Sequence, residues 1–377
     1  MFVKRLRNIM RVTAPMGLML WSTVANADWA LNLREGVTPV SHEVYDLHMY
    51  ILWIVTIIGI GVFAVMTWSI IHHRKSKGAV AAQFTHSTIA EITWTIIPVL
   101  ILVAIAVPAT KTLILMEQTG DAEITLKVTG YQWKWKYDYM EEDLSFFSSL
   151  GKASNEARQL NSGIDPASVD NYLLEVDKPI VLPVKTKVRI LTTADDVIHA
   201  WWVPDLGWKR DAIPGFINDN WAYIEEPGTY RGQCAELCGK DHGFMPIVLK
   251  VVSKEEYRTW IAETKQAQID ALADSDREWA QDELMTRGEE VYGTNCAACH
   301  MPDGKGTGPF PPLDGGPVVN GPAAEHIKQV LVGKNLMPAF AGQLSDADLA
   351  AVITYERNSW GNATGDVVQP ADIKAAR

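Results

Sequence analysis

The sequence predicts a multidomain membrane protein that combines a two-helix transmembrane hairpin, an all-β domain and an all-α domain. Three observations lead to this prediction. Two long apolar stretches near the N-terminus are almost free of charge, and residues 119–253 contain short runs of strand-like alternation. The residues that follow begin with a long run of helix-forming side chains. A chain of 377 residues has room for this organisation.

Residues 1–27 have the three parts of a secretory signal peptide. Basic residues come first, an apolar run extends from Val12 to Val24, and Ala25-Asn-Ala matches the small-residue cleavage pattern. An uncleaved membrane anchor is the alternative, but the apolar run is too short to span a bilayer. We therefore expect the signal to be cleaved.

Residues 28–118 contain an N-terminal periplasmic segment and the transmembrane hairpin, with spans expected at about 48–71 and 92–114. The only charged residue in either span is Lys111, which is placed to reach the membrane surface. The loop between the spans is basic over residues 72–77, and short basic loops stay in the cytoplasm. We therefore expect a multi-pass membrane protein with both soluble domains on the outer side of the membrane.

The all-β prediction for residues 119–253 rests on four alternating or apolar runs. Strands are expected at 124–128, 180–182, 187–191 and 247–252, with Pro and Gly at their edges. Strands of this length and spacing are typical of a small sandwich or barrel.

The remaining segments are predicted from composition. The stretch 151–170 is rich in Ser, Asn, Gly and Ala and is expected to be a surface loop. Residues 254–283 favour a linker helix, with a disordered tether as the alternative. An all-α domain is expected at 284–361, followed by a mobile tail at 362–377.

The amino-acid composition also limits the classes of partner and cofactor that the chain can be expected to bind. The formal net charge of −11 argues against nucleic acid as a partner and is compatible with attraction of a basic protein. All four cysteines fall into two close pairs, Cys234/Cys238 and Cys296/Cys299. An exported chain with this spacing is expected to use its sulfur for cofactors, so we expect two cofactor sites.

The first cysteine pair belongs to a candidate metal site. The candidate ligands are two thiolates, two imidazoles and a thioether: Cys234, Cys238, His199, His242 and Met245. Soft sulfur ligands favour copper. One thiolate and two imidazoles would suit a mononuclear blue site, whereas two thiolates can bridge two ions, with the carbonyl of Glu236 as a further ligand. Structural zinc is the alternative.

The second pair has the spacing of a covalent haem site. Cys296-Ala-Ala-Cys299-His300 supplies two thiols for thioether bonds and an adjacent imidazole for iron. A thioredoxin-like redox pair is the competing interpretation, but the expected βαβ context is absent. We choose Met337 as the second axial ligand. His326 is the alternative, although a surface position is expected for it.

The copper segment closely resembles subunit II of haem–copper cytochrome c oxidase. The resemblance rests on Cys-x-Glu-x-Cys-x3-His-x2-Met and Asp-Val-x-His-x-Trp and extends over residues 40–260, including Gly130–Tyr137 and Arg210–Gly215. It implies a cupredoxin-like barrel on the hairpin and a dinuclear copper centre, CuA. The implied ligands are His199, Cys234, Glu236 through its carbonyl, Cys238, His242 and Met245.

The same resemblance gives roles to residues that bind no copper. It implies that electrons pass to copper through Trp133, while we expect Trp135 only to pack in the core. It implies a magnesium ligand in the carboxylate of Glu236, with Asp211 near it, at the boundary with subunit I. It also implies that Glu91 lies at the start of a proton path, with a solvated helix cap as the alternative.

The C-terminal domain resembles a small class I cytochrome c, in which a segment like Pro311–Gly315 orients the axial histidine. The whole chain thus resembles subunit II of caa-type bacterial oxidases. This implies that a donor such as cytochrome c reduces haem c, and that electrons then pass to copper and to subunit I, with subunit III in the complex. The rival functions are a membrane-tethered haem/copper electron carrier outside any oxidase and a copper nitrous-oxide reductase, which has less support because the chain has only nine His.

Overall fold

Two long helices precede the soluble part of the chain. This computed structural model describes residues 32–159 and 162–377, so the signal peptide expected at residues 1–27 lies outside the described residues. Helix α1 spans Pro39–His72 and helix α2 spans Thr88–Met116, and each is long and apolar enough to cross a membrane. Most of their large apolar side chains are exposed, as contact with lipid requires.

Helix α1 begins before the expected start at residue 48 because its first turn rests on the β domain. The Thr38 hydroxyl accepts a hydrogen bond from the Ser41 amide at 3.0 Å and donates one to the Leu206 carbonyl at 2.9 Å. Gly207 has a φ of +81°, and a Cβ at this position would lie 2.4 Å from the Cα of Ser41. Contacts with the β domain therefore determine where the helix starts.

The described residues contain ten strands in two five-stranded sheets, with the orders β3-β2-β1-β5-β8 and β4-β10-β9-β6-β7. In chain order the strands are β1 Ile124–Tyr131, β2 Lys134–Tyr139, β3 Leu144–Ser148, β4 Ile180–Pro183, β5 Lys187–Ala194, β6 His199–Val203, β7 Trp208–Ala212, β8 Asn218–Tyr223, β9 Gly228–Cys234 and β10 Pro246–Val252. All four expected strands are present, so the all-β prediction is confirmed.

The core of this domain lies between the sheets. Strand β5 alternates strictly, with Val188 and Ile190 buried and the residues between them only half-buried. The largest buried side chains are aromatic, among them Trp135, Tyr137 and Trp201. Burial of such large rings contributes much of the stability of a domain of this size.

The stretch 151–170, expected to be a loop, contains a short helix, α3, at Lys152–Ala157. The loop prediction is wrong here because Ser154 and Ala157 are buried by tertiary contacts that composition does not reveal. Helix α4, Lys254–Asp274, covers the first two thirds of the linker predicted at 254–283 and begins with a capping box at Ser253.

The C-terminal domain is helical, as expected. Its helices are α5 Gln281–Asn295, α6 Ala297–His300, α7 Ala323–Val332, α8 Asp346–Asn358 and α9 Pro370–Ala376. Helices α5 and α8 cross at Gly288, where a Cβ would lie only 2.2 Å from the Ala351 carbonyl oxygen. The absence of a side chain at Gly288 therefore permits the close approach of the two helices.

The tail at 362–377 was expected to be mobile, and this expectation is wrong. It forms helix α9, in which Ile373 is buried in the core of the C-terminal domain. Gln369 accepts a hydrogen bond from the Trp279 amide at 2.9 Å and donates one to the Trp279 carbonyl at 3.0 Å. Although the tail is polar on average, one face of its helix is apolar and packs against the core of the C-terminal domain.

Candidate copper and haem centres

The candidate copper ligands are assembled by the ends of three strands. Strand β9 ends at Cys234, strand β10 begins at Pro246, and the loop between them carries the other ligands of the Cys motif. Strand β6 begins at His199 and pairs with β9 so that Trp201 lies opposite Cys234. The register of the sheet thus brings a histidine distant in the sequence to the cysteine loop.

The sulfur atoms of the loop lie within reach of shared metal ions. The two cysteine Sγ atoms, of Cys234 and Cys238, are 3.9 Å apart. Cys238 Sγ lies 3.6 Å from the Sδ atom of Met245, and Cys234 Sγ lies 3.4 Å from the Glu236 carbonyl oxygen. Both cysteines are buried, as is Met245. The loop therefore presents a compact set of mostly soft donors, which suits copper.

The two histidines approach opposite members of the cysteine pair. His199 Nδ1 lies 3.9 Å from Cys234 Sγ, and His242 Nδ1 lies 3.5 Å from Cys238 Sγ. His199 and the two cysteines have ligand atoms within 4.8 Å of one another, a group that does not include His242. This distribution fits two bridged ions, each with its own imidazole, better than a single ion with all ligands around it.

The two thiols differ in acidity. A hydrogen bond from the Cys238 thiol lowers the pKa of Cys234 well below its ordinary value, while the same pairing raises the pKa of Cys238 far above it. Two negative charges this close repel each other, so one proton remains between the sulfurs until a cation replaces it.

Asp196 orients the ligand His199, a role that the sequence analysis did not assign. Its Oδ1 lies 2.9 Å from His199 Nε2, which leaves Nδ1 directed toward Cys234. Although burial lowers the pKa of His199, the hydrogen bonds to Asp196 and Cys234 raise it overall. The Asp-Val-x-His spacing was the available signal, since it places a carboxylate three residues before the histidine.

Trp133 contacts the copper loop through a ligand's backbone. Its Nε1 donates to the Cys238 carbonyl at 3.1 Å, and Nε2 of the Gln132 side chain donates to the same oxygen at 2.8 Å. Trp135 is fully buried and donates to the Met245 carbonyl at 3.2 Å, which agrees with the packing role expected for it.

The haem motif lies on one helical turn. Cys296 precedes helix α6, and Cys299 and His300 end it. His300 Nδ1 lies 2.9 Å from the Pro311 carbonyl, so this ring nitrogen donates and leaves Nε2 for iron. Two thiols beside an imidazole oriented in this way fit a covalently attached haem.

Met337 and His326 differ in their surroundings. Met337 is half-buried against the core of the C-terminal domain, in the segment after α7. His326 is buried, not at the surface as expected, and its Nε2 lies 2.9 Å from Glu356 Oε2. The fold buries His326 because α7 packs this face against α8, and the pairing with Glu356 favours Met337 as the axial ligand.

The carboxylates expected to have roles beside the copper and haem ligands do not join the metal cluster found in the described residues. Glu91 is exposed in the first turn of α2, and Glu236 and Asp211 are half-buried in the copper domain. In the described parts of the chain, the one cluster of His, Cys, Asp and Glu close enough to hold a metal contains none of them. A magnesium site at Glu236 would need ligands from elsewhere.

Each of the three parts of the chain matches a known protein family model. Residues 26–112 match the family model described as "Cytochrome C oxidase subunit II, transmembrane domain", and residues 124–252 match its periplasmic domain. Residues 283–355 match "Cytochrome C oxidase, cbb3-type, subunit III". A probable cytochrome c oxidase subunit 2 of Rickettsia prowazekii is 42% identical over 62% of this chain and 72% of its own length. The chain belongs to the cytochrome c oxidase subunit 2 family.

Other members of the subunit 2 family match the same part of the chain. The probable subunit 2 of Rickettsia bellii is 39% identical over 66% of this chain and 90% of its own length. The solved periplasmic domain of subunit II (CoxB) of Bradyrhizobium japonicum is 37% identical, covers 40% of this chain and 99% of that domain, and has a TM-score of 0.35.

Membership of the subunit 2 family confirms the resemblance and the fold class. The chain is a subunit of the oxidase complex and a membrane protein with a periplasmic soluble part. Its subunit 2 domain implies a CuA copper centre, and its fused C-terminal domain implies haem.

Proposed function

We propose that this chain is the subunit through which electrons enter a proton-translocating terminal oxidase. An external donor such as a cytochrome c reduces the haem domain, the copper domain passes the electrons to subunit I, and oxygen is reduced to water on that other chain. The observation that carries this proposal is the presence of both ligand sets in one compact unit, Gly36–Arg377. When bound, the copper pair and the haem supply one-electron transfer.

The chain's own residues would hold these groups. The copper ligands are the six expected ones: His199, Cys234, Glu236 through its carbonyl, Cys238, His242 and Met245. Cys296 and Cys299 would attach the haem, with His300 and Met337 on its two faces. Trp133 would connect the donor side to the copper loop, because its indole donates to the backbone of Cys238.

Exposed apolar side chains beside the copper ligands support contact with another chain. Leu237 is 77% exposed next to Cys238, and Ile198 is 45% exposed next to His199. Large apolar side chains in such positions are typical of an interaction surface. We assign this surface to subunit I, with the Glu236 carboxylate as a magnesium ligand at the boundary, and we expect subunit III in the same complex.

Both soluble domains are proposed to lie outside a bacterial inner membrane that the two helices cross. Glu91, at the cytoplasmic start of α2, would then take up protons for subunit I. Replacement of Glu91 with Ala is expected to slow turnover without slowing reduction of copper by the haem domain. Slower reduction of copper would contradict the proton role, and unchanged turnover would indicate a solvated cap.

Purification of the tagged full chain from its native membrane tests the proposed function. We expect a large haem-containing membrane subunit to co-purify, together with two coppers and one haem c per chain and oxygen uptake with a reduced cytochrome c. A chain that purifies alone with both cofactors would instead be the membrane-tethered carrier. Zinc, or one copper with a blue-type EPR spectrum, would refute the dinuclear centre.

A further inference from the structure

The copper-binding loop and the haem-binding motif are joined directly by one lysine. Lys240 lies in the loop that carries the copper ligands, and its Nζ donates a hydrogen bond to the Ala298 carbonyl at 2.8 Å. Ala298 lies between the two cysteines of the haem motif. The same ammonium lies 5.0 Å from the ring centroid of Phe310, a residue of the haem domain. One side chain therefore connects the two ligand-bearing segments.

A second lysine is buried between the two domains. Lys134, the first residue of β2, is only 8% exposed, and its Nζ lies 3.4 Å from the Oδ1 atom of Asn295. It also lies 4.9 Å from the ring centroid of Phe147 in the copper domain and 5.4 Å from that of Phe340 in the haem domain. Burial of an ammonium group costs free energy unless such partners surround it. Lys134 therefore stabilises the docked arrangement of the two domains over the separated one.

A third contact between the two domains is made by Asn155, whose side chain is oriented by residues that contact the copper loop. Asn155 of α3 donates to the Gly293 carbonyl of α5 at 2.7 Å. Its Oδ1 accepts a hydrogen bond from Arg158 Nε at 2.8 Å, and the same guanidinium pairs with Asp241 of the copper loop at 3.2 Å. The Asp241 side chain is buried, and that of Arg158 is 11% exposed. The orientation of Asn155 is therefore determined by a residue of the copper loop.

The three contacts share one electrostatic pattern. Each donor belongs to the copper domain, and each acceptor is an oxygen at the C-terminal end of α5 or in the motif that follows it: Gly293, Asn295 and Ala298. The C-terminal end of a helix carries partial negative charge and unpaired carbonyls, which attract cations and amide donors. None of these acceptors is ionised, so the attachment is expected to be weakly sensitive to salt.

We propose that Lys134, Lys240 and Asn155 form an interdomain clamp that holds the haem domain against the copper loop, so that electron transfer between them occurs within the chain at a fixed separation. The three are positioning residues that touch the partner domain and none of the proposed ligands. The kinetic part of this proposal rests on the proposed function.

The test uses the full chain in the purified oxidase. A triple variant, Lys134→Met, Lys240→Met and Asn155→Ala, removes all three donors, and Lys240→Met alone changes an exposed side chain. Lys250→Met, at an exposed lysine of β10 in the copper domain, is the matched control. Optical and EPR spectra establish that copper and haem are bound in each variant. Hydrogen exchange over residues 289–300 and the rate of copper reduction after rapid photoreduction of haem c are then measured.

Loss of a hydrogen bond from a charged group weakens docking by about tenfold or more. The triple variant is therefore expected to exchange faster over residues 289–300 and to reduce copper at least about tenfold more slowly. Lys240→Met is expected to show a smaller change in the same direction, and the control none. Normal exchange and a normal rate in the triple variant would overturn the clamp, as would a strong salt dependence of the wild-type rate.

The exchange measurement separates this proposal from the proposed function. If the wild-type chain transfers no electrons from haem to copper, the proposed function fails. The clamp would still be supported in that case if residues 289–300 lose protection in the triple variant and, to a smaller extent, in Lys240→Met, but not in the Lys250→Met control. Faster exchange in the Lys250→Met control as well would refute a specific clamp.

Discussion

The copper domain and the haem domain assemble their candidate ligands in different ways. In the copper domain, strand register brings His199 to a loop that is distant in sequence, and a hydrogen bond with Asp196 orients it. In the haem domain, Cys296, Cys299 and His300 already share one helical turn. In the haem domain, tertiary structure contributes the crossing of α5 and α8 and the position of the loop that carries Met337. The two sites are therefore expected to respond to different kinds of substitution.

Gly288→Val should have the largest effect, and in the haem domain alone. A Cβ at this position meets the Ala351 carbonyl at 2.2 Å, so α5 and α8 cannot approach. Overpacking of this kind costs about 1–3 kcal/mol or more. Thermal unfolding followed separately in the haem and copper absorption bands is expected to show an early haem-domain transition and an unchanged copper band. Loss of both bands together would show that the domains unfold as one unit.

Asp196→Asn should weaken the copper site without destabilising the haem domain. The amide keeps the shape of the side chain but removes the charge that orients and polarises His199. Loss of such a partner typically lowers metal affinity by about 10–100-fold. Copper retained during titration with a chelator measures this change. Equal retention in Asp196→Asn and wild type would mean that the strand register alone holds the imidazole.

Met337→Ala tests the haem domain's separate loop. The haem should remain attached, because the thioether bonds need only Cys296 and Cys299. The iron should lose its thioether ligand, so its reduction potential should fall. A redox titration monitored by optical spectroscopy checks this outcome. Met301→Ala is the control, because Met301 directly follows His300 in the sequence and is not a proposed ligand. An unchanged spectrum in Met337→Ala would show that another residue is the axial ligand, with His326 the first to test despite its pairing with Glu356.

Trp133→Ala should have the smallest structural effect. The side chain is only half-buried, so the loss of stability should be below the roughly 3–5 kcal/mol typical of a fully buried large aromatic. Electron transfer into copper should nevertheless slow while the copper spectrum stays unchanged. Stopped-flow reduction and thermal unfolding are compared in the same variant. A destabilised domain with a normal reduction rate would remove Trp133 from the path.

Features that depend on neighbours along the chain could be predicted from the amino-acid sequence. The spans follow from uninterrupted apolar stretches, the strands from alternation, and both ligand motifs from spacing within one loop or turn. The domain boundaries remain predictions. The roles of Trp133, Glu91 and the ligands remain predictions as well, because these roles depend on cofactors and partner chains.

Contacts between residues that are distant in the sequence become visible in the folded chain. The helix within 151–170, the packed tail and the burial of His326 all depend on partners far away in the sequence, and composition does not report such contacts. The same is true of the Lys240 contact with Ala298. The sequence does not distinguish a solvated lysine from one that connects two domains. Which oxygen the ammonium reaches depends on how the chain folds.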